Sequence, residues 1–443
     1  MNHINIKKGH DVRIKGAPIN QIPSEIVPDK VSICPRSFRG VKPKLIVSEG
    51  DAVSVGSPLF YDKLKPEVKW GSPASGVVST IQLGARRVID KIEITVEEKK
   101  IEPFDTFSDA QLNSATREII LESLLKANIF PLIRQRPFNK VADPSGTPRD
   151  IFISGYNTAP ISVDLATVID SQKDKFQMGL KALSKLTSGN VYLTSEKPMG
   201  FDGAVNQTIS GPHPAGNVGI QIHHISPLKP GDIVWTVNAQ HVIAIGGLFH
   251  TGLYDPKCIV SIGGSGASNP QIVQTISGTS IRSLLKDQSL DRSVRLVSGD
   301  VLTGNSVDIN GYLGYYDSSL TIINDEVKRP FLGMLALGSS STKYSLTNTF
   351  LSFGTNEFDF TTSQNGELRA MVPLDAWEDV LPMDIMPNPL YRAILAEDIE
   401  EMEQLGIWEC DDEDFALCSF ACPSKIDVGS VIRRGLDLME DEG

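Results

Sequence analysis

The chain has 443 residues, of which 40% are hydrophobic and 22% charged, with a formal net charge of −12. That length exceeds one compact core and implies about three domains, while no apolar run reaches the ~20 residues of a membrane helix. Fifteen acidic and three basic side chains within residues 397–443 carry the whole excess; the body is neutral, which excludes a nucleic-acid binder because phosphate contacts need clustered Lys and Arg.

The first residues, MNHINIKKGHDVRIKG, lack the apolar core of a signal peptide, so a cytosolic chain is expected. Five cysteines, an odd number, argue against a disulfide framework. From Val47 the strings VSEGDAVSVGSPLFYDK and WGSPASGVVSTIQLG alternate core positions (Val53, Leu59, Val77, Ile81) with turn residues (Gly50, Asp51, Gly56, Pro58, Ser72, Pro73, Gly76). Short strands with such punctuation predict a small all-β domain over residues 1–101. The pattern GD-x-V-x-x-G-x-x-L followed by SP-x-SG-x-V resembles the biotinyl/lipoyl-carrier fold, the barrel-sandwich hybrid. Lys63 follows Asp62 as in a lipoyl hairpin, but its spacing to Gly50 and Pro73 is wrong for a carrier, and it reads as a surface lysine.

Residues 102–256 predict an α/β domain. A helix is expected at about 114–128 with Ser114 as N-cap, a strand at 150–155, a long amphipathic helix over 164–186 and a strand at 191–194. Strand, helix, strand at this spacing is a βαβ unit, so the domain is Rossmann-like with a parallel sheet. Its phosphate loop is missing: YNTAPISVD follows the 150–155 strand, and no Walker motif occurs. Residues 232–249, interrupted by Asn238, Gln240 and His241, read as a buried element. The string GIQIHHIS places His223 and His224 on a strand, facing opposite ways and unable to share an ion. His241 and His250 have no carboxylate or cysteine at ligand spacing, so no metal site is expected.

Gly263-Gly264-Ser265-Gly266 follows the strand-like CIVSI but leads into another strand-like run. Without a helix N-terminus it serves neither as a phosphate loop nor as a nucleophile elbow, and it reads as a β-turn. Residues 257–330 combine strands, a short helix in SIRSLLKD and a further strand in VRLVSGDVL, which resembles a β-grasp module of the soluble-ligand-binding (SLBB-like) type. Residues 331–375 read as a mixed β segment, and 376–443 as an acidic helical C-terminal tail. Within that tail Cys410, Cys418 and Cys422 precede Pro423. A ferredoxin run needs C-x2-C-x2-C-x3-C-P; Cys418 and Cys422 fit, but Phe415 and Asp412 fill the other two positions, so the three cysteines read as structural thiols and not ligands. The acidic tail either meets Lys- and Arg-rich loops of an integral-membrane partner or only solubilises the chain.

Several strings together resemble one family: Ile6-Lys-Lys-Gly9 with Gly16-Ala-Pro18, Glu49-Gly-Asp51, Ser72-Pro-Ala-Ser-Gly76, Arg134-Gln-Arg-Pro-Phe-Asn-Lys140, Thr361-Thr-Ser363, Arg369-Ala-Met-Val-Pro373 and Cys418-Ser-Phe-Ala-Cys-Pro423. The order of parts is similar to the flavin subunit of complex I and the Rnf C subunit, and the strings resemble the A-subunit family of Na+-translocating NADH:quinone reductases. The resemblance implies a peripheral subunit on the cytoplasmic face of the bacterial inner membrane, without flavin, metal or iron–sulfur centre of its own and associated with ubiquinone. NADH oxidation and sodium transport would then belong to partner subunits of an oxidoreductase complex, and the isolated chain would not be catalytic. Where complex I has a glycine-rich flavin loop, this chain has Val141-Ala-Asp-Pro-Ser-Gly-Thr-Pro148, with few N–H donors for a flavin phosphate. A quinone head needs an apolar wall and hydrogen-bond donors. Arg36, Phe38 and Arg39 in one segment, and Arg134, Arg136, Phe138 and Lys140 in another, offer both. The alternative is a pure assembly role, with quinone bound only by the membrane subunits.

Overall fold

In the computed structural model the described residues are 3–19, 23–97, 100–290, 293–326, 332, 335, 344–346 and 357–442. Two short strands at the N-terminus, β1 (His3–Asn5) and β2 (Ser24–Glu25), leave this segment to join sheets built later in the chain. The β-domain follows: β3 (Lys30–Ile33), β4 (Pro43–Leu45), β5 (Ala52–Val53), β6 (Pro58–Asp62), β7 (Lys65–Gly71), β8 (Gly76–Leu83) and β9 (Ile89–Val96). Among the described residues they form two sheets, β3-β9-β8-β5 and β4-β6-β7. Period-two alternation turns Phe60 and Trp70 inward, where their rings stack with centroids 4.6 Å apart. Gly76 has a positive φ, and a Cβ there would lie 1.9 Å from the Thr95 carbonyl, so only glycine fits this turn into β8.

The α/β unit comprises α1 (Asp109–Ser114), α2 (Arg117–Lys126), β10 (Ile133–Arg136), β11 (Lys140–Val141), β12 (Ile151–Ser154), α3 (Leu165–Ser171), α4 (Lys173–Ser184), β13 (Val191–Ser195), β14 (Val205–Ser210), α5 (Val218–Ile225), β15 (Val234–Asn238) and α6 (Ala239–Thr251). Among the described residues its sheet runs β1-β14-β13-β12-β15-β10-β11; β1 and β12 to β15 are parallel, and the β10–β11 hairpin is antiparallel at one edge. Helices α4 and α6 cross closely, because Gly179 and Gly246 present no side chain at the contact.

Three details differ from the sequence expectation. The helix expected at 114–128 is α2, which starts later, after Thr116; Ser114, expected as its N-cap, instead closes a preceding helix, α1, which Ser108 starts in a capping box with Gln111. The helix at 164–186 breaks at Gln172 into α3, capped by Asp164, and α4. His223 and His224 lie on helix α5, not on a strand. Val218, Ile222 and Ile225 sit at helical spacing and pack with Phe152 and Val234, so covering the sheet decides against the strand suggested by the Ile220/Ile222 alternation. Residues 232–249 are the buried β15 and α6.

The third unit holds β16 (Lys257–Gly263), β17 (Gln271–Ile276), α7 (Ile281–Leu284), β18 (Val294–Ser298), β19 (Asn305–Val307) and β20 (Ser319–Asn324). Its sheet, among the described residues, runs β19-β18-β20-β16-β17-β2 around Val260, Ile262, Ile281, Leu284 and Leu320. The glycine-rich string is the turn between antiparallel β16 and β17, as expected. About half of the mixed β segment over 331–375 lies outside the described residues; within them, Phe358 bridges Ile14 and Thr361 bridges Asn324.

Helices α8 (Pro387–Ala396), α9 (Ile399–Gln404), α10 (Ala416–Ala421) and α11 (Val428–Glu442) complete the chain. They share a core with the extension of the first strand and with β14 and α5: Ile6, Val12 and Ile14, Ile209 of β14 and Ile220 of α5 pack with Leu390, Ile394, Met402, Phe415, Ile432 and Leu436. No helix among the described residues is long and apolar enough to cross a membrane.

Candidate functional site

Strand β10 ends on Arg136, and the chain turns through Phe138 and Asn139, both with positive φ, into β11. This turn and the C-terminal region meet at a buried charge cluster. Arg136, 2% exposed, has Nη2 3.1 Å from Asp411, pairs closely with Glu413 and has Nη1 3.7 Å from Asp414. Arg39 donates to both oxygens of Asp412, at 3.1 and 2.8 Å, and Arg433 of α11 binds Asp411 and Asp412. Asn139 donates to Asp411 at 2.6 Å, Arg433 to the Phe138 carbonyl at 3.0 Å, and Lys140 pairs with Glu440. The 3-10 turn Asp412–Phe415 places these carboxylates together. Helix α5 makes room for them: a Cβ on Gly219 would lie 1.9 Å from Asp414.

Electrostatics in this cluster are set by burial first. Burial disfavours the Arg136 charge, but Asp411, Glu413 and Asp414 outweigh it and hold the guanidinium protonated. Burial raises Asp411 to about 6 against the pull of Arg136, and pushes Asp414 well above the carboxylate range. Asp412 is also penalised by burial, yet Arg433, its hydrogen bond with Asp411 and Arg39 bring it below the usual range. The most acidic part of the tail is therefore neutralised by the chain's own arginines.

Phe38 and Arg134 converge elsewhere. Phe38, 4% exposed, packs its ring 5.1 Å from Trp70, 5.2 Å from Tyr315 and 5.8 Å from Tyr316. The Arg134 guanidinium lies 4.9 Å from the Tyr316 ring centre, and Tyr316 donates to the Pro131 carbonyl at 2.7 Å. His241 stands 5.8 Å from the same ring; burial, reinforced by Arg134, pushes it down to about 4, so it is neutral at pH 7. Beside these rings is a cavity of about 30 Å³ lined by Gln240, His241, Tyr254, Tyr315, Tyr316 and Asp317 among others. That volume holds a water molecule and not an aromatic ring.

Open α/β sheets take ligands outside the carboxyl ends of their parallel strands. Here that position, beyond β12 and β15, is filled by β16. Gln240 exchanges two hydrogen bonds with the Ile259 backbone, at 3.0 and 2.7 Å, and Ser261 donates to the Ile161 carbonyl. In the 141–148 loop, Arg117 donates to the Pro144 and Gly146 carbonyls at 3.1 and 2.6 Å, and Asp143 pairs with Lys65 at 2.8 Å.

Residues 4–97 match the NqrA N-terminal barrel-sandwich hybrid domain, 115–254 the NqrA second alpha/beta domain, and 259–308 the NQRA C-terminal domain. The A subunit of the Na(+)-translocating NADH-quinone reductase of Hahella chejuensis is 38% identical, over 99% of this chain and 100% of its own length. Proteins of the same name from Saccharophagus degradans and Pasteurella multocida are each 37% identical, with the same coverage. The chain belongs to the NqrA family.

In this NqrA homologue the two sequence-selected segments are neighbours, but their side chains part company. Arg39, Arg136, Phe138 and Lys140 face the C-terminal region, where Phe138 meets the Trp408 ring edge-on at 5.7 Å. Phe38 and Arg134 face the tyrosines, and the exposed Arg36 stands 3.6 Å from Asp90. Cys410, Cys418 and Cys422 are buried in the C-terminal core, and burial raises the thiols of Cys410 and Cys418. Among the described residues, no group of three or more His, Cys, Asp and Glu is placed to hold a metal. Sequence reasoning missed Tyr315, Tyr316 and residues 411–414 as partners of the chosen segments. The adjacent tyrosines and the unbroken acidic run were visible signals; their destinations, fixed by long-range contacts, were not.

Proposed function

We propose that this chain works as the A subunit of a Na+-translocating NADH-quinone reductase, seated peripherally on the cytoplasmic face of the bacterial inner membrane. The likeness to relatives of that name, from end to end of both chains, carries the proposal. In this role it brings no flavin, metal or iron–sulfur cluster of its own; it assembles with the other subunits and borders the site where quinone is reduced. The α/β unit is then a Rossmann-like scaffold whose ligand position the chain's own β16 has taken, and Phe38, Tyr315, Tyr316 and Arg134 combine an aromatic wall with a donor, where a quinone head enters only when the cavity of about 30 Å³ beside them opens within the assembled complex. A role confined to assembly is favoured by a separate observation: Arg39, Arg136 and Lys140 already spend their charge on Asp411, Asp412, Glu413 and Glu440.

A tagged copy of the chain should bring the membrane subunits out of a detergent extract, and failure to do so overturns the assignment. In the recovered complex, Arg134→Ala should raise the KM for a short-chain quinone about tenfold, the scale of one lost cation–π or charged contact. An unchanged KM with intact assembly assigns quinone to the other subunits alone.

A further inference from the structure

The sheet β4-β6-β7 has an outer face that neither the fold nor the proposed role uses. Lys44 of β4 is the register partner of Tyr61 on β6, and Tyr61 is the partner of Lys69 on β7. The three side chains thus form one row across the strands, Lys–Tyr–Lys, with the outer two strands about 10 Å apart. Neighbouring strand positions point inward as Phe60 and Trp70, which fixes the row's outward direction. Lys44, Ile46, Tyr61, Lys63, Pro66 and Lys69 line an open concavity of about 610 Å³.

Charge in this concavity is unbalanced. Among the described residues, Lys44, Lys63 and Lys69 make no ion pair, and neither does the nearby Glu67; Lys44 has the Tyr61 ring, 5.7 Å from its Nζ. Outside residues 397–443 the chain's charges cancel, so three unpaired lysines around one aromatic ring are a local excess. Apolar surface lies in and beside it: Ile46 is exposed in its lining, and Leu64, 59% exposed, crowns the adjoining β6–β7 hairpin.

We propose that this concave face receives an extended acidic segment of a partner protein, one that sets carboxylates against Lys44 and Lys69 and an apolar side chain over Tyr61. A shallow face about two strand spacings wide matches one extended chain, whose carboxylates reach the lysines on either side of Tyr61. The surface stands independently of the assignment to the reductase, and the two fail separately: a chain that purifies with the membrane subunits can still lack this site.

The test uses the full chain and, as probe, a fluorescein-labelled peptide alternating Glu with Leu. Wild type should bind it with an affinity that falls as salt rises. The double variant Lys44→Glu/Lys69→Glu should bind about tenfold more weakly or worse, with a thermal midpoint close to that of wild type because Lys44 is exposed and Lys69 half-buried without an ion pair, and the control Lys8→Glu should bind as wild type does. Equal peptide affinity in wild type and double variant overturns the proposal. So does the pattern in which the double variant keeps peptide binding but loses sedimentation with phosphatidylglycerol vesicles, which would make this a lipid-facing surface.

Discussion

Asp411 occupies the costliest position for a charge in this chain. It is wholly buried, and Arg136, Arg433, Arg39 and Asn139 all reach it. Burial nevertheless raises its pKa from 3.8 to about 6. A carboxyl whose folded pKa is raised stabilises the fold most when protonated; that share is complete below the unfolded pKa and is lost as pH rises through the folded one. Asp411→Asn cannot titrate. Wild type should therefore gain on the variant by roughly 2–3 kcal/mol as pH falls from about 7.5 to about 4, read from urea midpoints. A gap between the two that stays constant with pH would show that Asp411 titrates as it does in the unfolded chain. The sequence marked Arg136 as a charged donor in an aromatic-flanked segment, and it marked residues 411–414 as surplus charge. It could not join them, because a contact between residues so far apart in the chain leaves no local periodicity.

Among the elements, the α4–α6 pair shows what local pattern conveys and what it omits. The apolar spacing of Phe176, Leu180 and Leu183 made α4 legible, and the strand–helix–strand order made the parallel pairing of β12 with β13 legible. The closeness of the helices was not. A Cβ on Gly246 would lie 1.7 Å from the Lys175 carbonyl and 2.6 Å from the Gly179 amide, both backbone atoms that cannot swing away. Gly246→Ala should therefore cost at least about 1–3 kcal/mol, the overpacking range, even though alanine is the better helix former by about 1 kcal/mol. Thermal unfolding of the full chain reads the sign: a raised midpoint would mean that the helices separate at little cost. The break at Gln172 leaves no mark in a continuously amphipathic pattern. At α5, covering the sheet outweighs the alternation of the isoleucines.

At the scale of the molecule the two chain ends form one structure. Strand β1 pairs with β14 at the edge of the α/β sheet, and Ile6, Val12 and Ile14 lie under the C-terminal helices. Leu390, Ile394, Met402, Phe415, Ile432 and Leu436 are wholly buried there, and each such side chain is worth about 1.5–3 kcal/mol when removed from water. The acidic composition of residues 397–443 suggested a helical tail that docks on a partner or only solubilises the chain, since net charge says nothing about the apolar stripe of Val428, Ile432, Leu436 and Met439 that faces inward. Ending the chain at residue 396 should therefore loosen the other end. Trypsin cleaves where the backbone opens locally, and Lys7, Lys8, Arg13 and Lys15 are exposed targets in this segment. In the full chain these sites should resist cleavage as long as the C-terminal helices stay packed. In the truncated chain they should be cut first, ahead of Lys91, which strand pairing holds inside the β-domain hairpin β8–β9. Equal cleavage rates at the N-terminal sites in both chains would mean that β14 alone secures the first strand. Early cutting confined to the truncated chain would mean that the C-terminal helices close over the N-terminus, so that a partner gripping one end also steadies the other.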